Sequence, residues 1–187
     1  PIDVEPDPRV TGTHAGENGH NPIDFVRAQT PAGEALAIYS SADALSAHRP
    51  GDRPMALDFR TIGLTALVET GGRIVVNPGT DAVLLPRPAV AALAQGDEWL
   101  PAWRDEPLRE LLLAEASAAC RAIVDLGIVY AGDGLTRVVV SVDRARFARG
   151  EEASSMKAEL SAALNAVGTN PRLIASADRV EIAPVLR

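Results

Sequence analysis

The histidines and carboxylates near the start of the chain are the residues whose spacing could bind a metal. His14 and His20 lie six residues apart with Glu17 between them, and two imidazoles with one carboxylate can ligate a divalent metal. The same segment is polar, rich in Pro, Gly and Asn, and lacks a second ligand cluster to complete the coordination shell. We therefore interpret these residues as solvated loop residues and predict no metal site.

Covalent catalysis would need a serine or cysteine activated by a neighbouring base, and the sequence does not supply that arrangement. The motif G-x-S-x-G is absent, and Ser40 and Ser41 are better explained as caps of a predicted helix. His48 stands at the predicted end of that helix, where a cation complements the helix dipole. Cys120 falls in an apolar helical pattern, which predicts a buried packing residue. We predict no catalytic residues.

The short glycine-rich segment Gly132-Asp133-Gly134 is the candidate for phosphate binding. Glycine-rich loops bind phosphate when they lead from a strand into a helix. Here strands are predicted on both sides, so the segment indicates a hairpin turn. We predict no nucleotide and no other cofactor.

Two tryptophans are the most conspicuous candidates for partner binding. Trp99 and Trp103 fall in an otherwise polar segment between the two halves of the chain. Tryptophan is common in interface hot spots. The pattern leaves two alternatives, since the side chains could fill the gap between the halves or anchor a partner.

A dense basic patch follows one of the predicted strands. Arg144, Arg146 and Arg149 lie within six positions of one another. The patch is either a solvated connector that pairs with Glu151 and Glu152 or a docking site for an acidic partner.

Composition excludes several classes of function. The net charge is −7 and the pI is about 5.0, which disfavours binding to nucleic acid and to anionic membranes. No apolar run approaches the ~20 residues of a membrane helix. A single cysteine suits a reducing cytoplasm, and the excess of arginine over the one lysine, Lys157, suggests a high-GC bacterium. Because the chain begins at Pro1, we expect a trimmed or processed N-terminus.

The first half of the sequence predicts short strands and helices. Alternating residues predict a hairpin, and a Pro-Gly turn links two short apolar strands. Ser40 or Ser41 caps one helix, and proline and glycine bound another. In chain order the predicted elements are strands 23–28 and 35–39, a short helix up to residue 48, a helix 57–70, strands 74–76 and 83–85, and a helix from 88 to 96.

The second half predicts an α-β-β-α-β-β order in two layers. Its elements are a helix 107–125, strands 128–131 and 137–142, a helix 151–167, and strands 173–175 and 180–183. The predicted fold class is α+β, with two small two-layer α/β-sandwich halves and mainly antiparallel sheets. The predicted domains are residues 1–98 and 107–187, joined by a linker at 99–106.

Two motifs of the first half resemble the N-terminal domain of SseB-like proteins. One is the strand end and helix start Ile38-Tyr39-Ser40-Ser41-Ala42-Asp43-Ala44-Leu45, and the other is Val76-Asn77-Pro78-Gly79 followed by Val83-Leu84-Leu85-Pro86. The pattern of residues 107–187 resembles the C-terminal domain of that family. The resemblance implies an accessory protein: the family is named for an effect on serine sensitivity, and its label carries a type III secretion association. Actinobacterial relatives look like accessories encoded near specialised secretion systems. The resemblance implies turn-shaping roles for Asn77, Pro78 and Gly79 and brings no catalytic residue.

These observations favour a non-enzymatic interaction or accessory protein that binds a protein partner. The candidate partner-binding residues are Trp99, Trp103, Asn77, Arg144 and Arg146. The alternative is a sensor of a small ligand such as an amino acid, or an enzyme whose site assembles between the halves, and this predicts a concave pocket there. A purely structural subunit that forms homo-oligomers is a third hypothesis.

Overall fold

A computed structural model describes residues 2–3, 24–146 and 152–187 of the chain. The histidine pair at 14 and 20, Glu17 and Arg149 lie outside the described residues. At the N-terminal end, strand β1 (Ile2–Asp3) pairs antiparallel with β2 (Asp24–Phe25).

The N-terminal half contains a four-stranded sheet in the order β3-β4-β5-β6. The strands are β3 (Arg27–Thr30), β4 (Gly33–Ile38), β5 (Ile74–Val76) and β6 (Val83–Leu85). The β3–β4 and β5–β6 pairs are antiparallel hairpins, as the turn residues predicted, and the central β4–β5 pair is parallel. Parallel strands need a long crossover. Helices α1 (Ala42–His48) and α2 (Phe59–Glu69) supply it, and α3 (Arg87–Gln95) follows β6.

Both faces of this sheet carry buried apolar residues. Leu36 and Ile74 pack on one face against the helices, together with Ala66 of α2 and Val90 of α3. Gly63 lets these helices approach closely, since a Cβ at that position would lie 2.7 Å from Ala94 Cβ. The opposite face carries a second cluster, made of Ala35, Ala37 and Val75 with Val26, Ala28 and Leu84 packed against it.

The C-terminal half contains a three-stranded sheet in the order β7-β8-β9. Strands β7 (Ile123–Tyr130) and β8 (Leu135–Val142) form the antiparallel hairpin predicted around Asp133, although both strands are longer than predicted. Strand β9 (Arg179–Leu186) runs parallel to β8. Helices α4 (Glu106–Ala119) and α5 (Glu152–Gly168) cover the core, and α6 (Pro171–Ser176) precedes β9.

Two predictions for this half are wrong. The helix predicted to end at residue 125 ends at Ala119, and the apolar residues after Cys120 begin β7 instead. The strand predicted at 173–175 lies within helix α6, which begins after Asn170. Asn170 Oδ1 accepts hydrogen bonds from the backbone N–H groups of Arg172 and Leu173, and Pro171 occupies the first turn. The half therefore has the order α-β-β-α-α-β.

The predicted fold class is confirmed. The described residues form six helices and two main sheets, of four and three strands, in a mainly antiparallel α+β arrangement. Within those residues no helix combines the length and apolar character needed to cross a membrane.

Candidate functional site: a groove between the two halves

The two halves meet beside the β5–β6 hairpin. Arg73, just before β5, reaches Asp178, just before β9, and its Nε and Nη2 donate to the two carboxylate oxygens at 2.6 and 3.1 Å. The two side chains are 24% and 11% exposed, so the pair is largely shielded from solvent. At the tip of the β7–β8 hairpin, Gly134 has a φ of 72° and packs on Leu84 of β6. A Cβ at Gly134 would lie 3.1 Å from Leu84 Cδ2, so glycine permits this close approach.

A cavity of about 290 Å³ opens at this junction. One wall is β6 with its flanking residues, and the other comes from the C-terminal half and the segment before α4. The lining residues are Ala82, Val83, Leu84, Pro86, Trp99, Trp103, Tyr130, Gly134, Thr136, Ser176, Ala177 and Asp178. The fold therefore contains a concave space between the halves, as the small-ligand or enzyme alternative required.

Three aromatic rings form one side of the cavity. Trp99 and Trp103 meet edge to face, with ring centroids 5.8 Å apart and planes at 83°. Trp103 lies in a 3₁₀ turn (Ala102–Arg104), and its ring is 4.8 Å from that of Tyr130. Trp103 also packs on the C-terminal core. The structure thus places both tryptophans at the junction, where they fill part of the gap and also line a space that remains open.

Few polar groups reach this cavity. Tyr130 Oη accepts a hydrogen bond from the Gly134 N–H at 3.3 Å, and Asp178 is already bound by Arg73. Among the described residues, Trp99 Nε1 is a buried donor without a hydrogen-bond partner. None of the described lining residues is a histidine or cysteine that could act as a base or thiol nucleophile. The cavity suits an apolar group.

A second chamber of about 260 Å³ adjoins the first. The two share Ala82, Leu84 and Tyr130, and the second continues along the sheet face that carries Val75. Its remaining lining residues are Ala28, Gln29, Thr30, Pro31, Pro78, Gly79 and Asp133. We name the two chambers together the junction groove.

Asn77 lies beside this groove and is engaged within the chain. Its φ is 51°, and its Oδ1 accepts a hydrogen bond from the Ser40 backbone N–H at 2.9 Å while Nδ2 donates to Ser40 Oγ at 3.0 Å. The Asn77 N–H donates to the Ile38 carbonyl at 2.9 Å. These bonds join the end of β4 to the β5–β6 turn. The two motifs behind the family resemblance therefore meet in space, with Asn77 bridging them.

The neighbouring Tyr39 and His48 are also paired, with Tyr39 Oη 2.6 Å from His48 Nδ1. Burial raises the pKa of the Tyr39 phenol, the nearby Arg49 charge lowers it, and Asp52 raises it again. The imidazole of His48 packs directly over Gly79, where a Cβ would lie 2.8 Å from Nε2. His48 thus has a packing and hydrogen-bonding role at the end of α1.

Arg144 and Arg146, the described residues of the basic patch, do not line the groove. Arg144 and Arg146 form an exposed 3₁₀ turn after β8. Arg146 Nε binds Asp143 Oδ2 at 3.1 Å, and the Arg144 N–H donates to the Arg187 carbonyl. Neither arginine lines either chamber of the groove. Cys120 is buried, with Sγ 3.9 Å from Met156 Sδ, in the packing role predicted for it.

Comparison with known proteins gives one family match, over the N-terminal half. Residues 2–92 match the family model described as the SseB protein N-terminal domain. The N-terminal half of this chain is SseB-like. The match covers the first sheet, the Asn77 turn and the β6 wall of the groove, and it ends within α3, before the tryptophans. The resemblance of residues 107–187 to the C-terminal domain of SseB-like proteins stays a prediction. No curated protein and no solved structure matched the chain significantly.

Several groove residues could not be predicted from the sequence. Tyr130 is the last residue of β7 and Leu84 is the middle residue of β6, and an aromatic or apolar residue at these positions fits ordinary packing equally well. The Arg73–Asp178 pair joins positions 105 residues apart, and nothing in either local sequence indicates the other.

Proposed function

We propose that this SseB-like chain is a non-enzymatic accessory protein that binds a partner protein at the junction groove. The observation that supports this proposal best is the gathering of Trp99, Trp103 and Tyr130 on one side of an open, mainly apolar cavity. Interface hot spots are enriched in Trp and Tyr and lie in pockets that exclude water. The family resemblance adds a bacterial setting near a specialised secretion system, and the single cysteine favours the cytoplasm.

The test compares capture of partners by matched variants from the native host. Trp99→Ala removes a groove side chain, whereas Val68→Ala removes an apolar side chain that is 86% exposed on α2, outside both chambers. We expect a stoichiometric partner to bind the wild type and Val68→Ala and to bind Trp99→Ala at least tenfold more weakly. Equal capture by all three proteins, or no stoichiometric partner, would count against the proposal.

Sensing of a small ligand is the second candidate, because the cavity volume lies near the lower end of the range for ligand pockets, about 300–1,000 Å³. A free amino acid would need partners for both its charges. Among the described lining residues of this chamber Asp178 is the one charged group, and Arg73 already binds it. We therefore rank this candidate below partner binding. Thermal-shift measurements with single amino acids test it, and the absence of any stabilisation would sink it.

A further inference from the structure

The junction groove is elongated. Its two chambers share the lining residues Ala82, Leu84 and Tyr130, so they lie side by side along β6. Trp99 lines only the first chamber, and Pro31 and Pro78 line only the second. A single compact group would fill one chamber, whereas a stretch of polypeptide can occupy both.

Strand β6 is the edge strand of its sheet. Along a strand, the backbone N–H and C=O groups of successive residues point alternately to the two neighbouring strands, so the observed hydrogen bonds show which groups of β6 face the open edge. In the parallel β4–β5 pair, the Arg73 carbonyl accepts a hydrogen bond from the Leu36 N–H, and the Asn77 N–H donates to the Ile38 carbonyl. The backbone N–H and C=O groups of the odd-numbered residues of β5 and its ends therefore point toward β4. The backbone N–H and C=O groups of Ile74 and Val76 therefore point the other way, toward β6.

Ile74 pairs with Leu85 and Val76 pairs with Val83, so the backbone N–H and C=O groups of Leu85 and Val83 point toward β5. Leu84 lies between them, and its N–H and C=O point toward the open edge. The neighbouring outward positions offer little, because the Ala82 N–H donates to the Thr80 carbonyl and Pro86 has no N–H. Leu84 is the position on β6 where another strand can pair.

We infer that the groove binds an extended segment of the partner protein, which pairs as an added strand with the backbone of Leu84 and places alternate apolar side chains in the two chambers. This inference rests on the proposed function and specifies how the partner is held. Strand addition draws affinity from main-chain hydrogen bonds and specificity from pockets for alternate side chains. Side chains two positions apart on a strand are separated by about 7 Å and lie on one face, which matches adjoining chambers.

The charges of the groove and of the whole chain indicate which peptide segment would bind. Asp133 lines the second chamber, and the chain carries a net charge of −7, so a Lys or Arg beside the apolar positions is favoured. The occupant is an extended, apolar and basic peptide.

The experiment begins with panning a phage-displayed library of random nine-residue peptides against the whole chain. We expect enrichment of sequences with alternating apolar residues and at least one Lys or Arg. The enriched peptides are then synthesised, and their binding is followed by tryptophan emission. Trp99 and Trp103 are the two tryptophans of the chain, and both line the first chamber.

Two pairs of variants test the pairing. Leu84→Pro removes the outward N–H and Leu84→Ala keeps it, while both shorten the side chain, so the proline variant should bind about three- to tenfold more weakly than the alanine variant. Asp133→Asn tolerates the left-handed backbone at this position and removes the charge, so it should weaken binding and reduce its dependence on salt. Asp97→Asn, outside both chambers, is its control. Thermal unfolding of each variant verifies the fold.

Three results would overturn the inference: no enrichment, equal binding by the two Leu84 variants, or binding unchanged in Asp133→Asn. Should peptides depend on Trp99 but not on these positions, strand addition fails and the proposed function stands. If Trp99→Ala also leaves peptide binding unchanged, both the strand-addition inference and the proposed function fail.

Discussion

Arg73 and Asp178 hold the two halves of the molecule together through a two-pronged ion pair across a sequence separation of 105 residues. Arg73 leads into β5, and Asp178 leads into β9 and also lines the first chamber. Because both side chains are largely shielded, the pair fixes how the first sheet sits against the second half. The shape of the junction groove depends on it.

Breaking this pair should therefore loosen the junction. We expect Arg73→Ala or Asp178→Ala each to lower the free energy of unfolding by about 2 kcal/mol, because each leaves a partly buried charge without its partner. The double variant should cost less than the sum, with a coupling free energy of about 1–2 kcal/mol. Urea denaturation of the wild type, the two single variants and the double variant gives the free energies of this double-mutant cycle. A coupling near zero would mean that the pair does not join the halves.

The two tryptophans should differ in their effect on stability. Trp103 packs on the C-terminal core, so Trp103→Ala should lower the free energy of unfolding by about 2–3 kcal/mol. Trp99 is not part of the described core clusters, and Trp99→Ala should cost about 1 kcal/mol. Urea denaturation followed by circular dichroism measures both. The reverse order would show that Trp99 is the packing residue and Trp103 the better candidate for partner contact.

Asn77 should be hard to replace because it combines a left-handed backbone with side-chain hydrogen bonds to Ser40. Asn77→Gly keeps the backbone conformation and loses the bonds, at about 1 kcal/mol. Asn77→Ala loses both and should cost about 2–3 kcal/mol. Thermal and urea denaturation rank the two variants, with Ser40→Ala as a control that leaves the Asn77 backbone unchanged. Equal costs for Gly and Ala would show that the backbone conformation carries no penalty here.

Tyr39 should make the fold sensitive to alkaline pH. Burial raises the pKa of its phenol above the unfolded value of about 10, so the folded state favours the protonated form. This stabilising contribution is complete below the unfolded pKa and is lost as the pH rises through the folded pKa. Tyr130→Phe leaves Tyr39 as the single tyrosine, so its ultraviolet absorbance reports this titration directly. The midpoint should be higher in folded protein than in urea, and equal midpoints would contradict the burial effect.

The N-terminal half was predicted well because its signals are local. Asn77 and Gly79 adopt positive φ angles in the β5–β6 turn, and Gly96 does so at the end of α3. Turn and cap residues of these types are selected by the backbone itself, so the sequence alone indicates where elements end. The parallel β4–β5 pairing was not predicted, since it depends on contacts between strands far apart in the chain.

The C-terminal half was predicted less well because its apolar pattern fits two structures. Ala116, Cys120 and Ile123 could share a helical face, yet Ile123 opens a strand. Asn170 and Pro171 carried a helix-start signal that the short apolar run after them obscured. The sequence indicated only that Trp99 and Trp103 lie between the halves, and Leu84 and Asp178 join the cavity wall only once the halves pack together.

The parallel arrangement of β8 and β9 has a consequence for the order of folding. The β7–β8 hairpin closes across a short turn, whereas Arg137 of β8 meets Glu181 of β9 across 44 positions. Loop-closure entropy delays such non-local pairing, so we expect β9 to dock late. Asp178 and the α6 end arrive with β9, and they complete the wall of the first chamber. The first chamber would then be complete only in the fully folded molecule, and a folding intermediate in which β9 has not docked would lack that part of its wall.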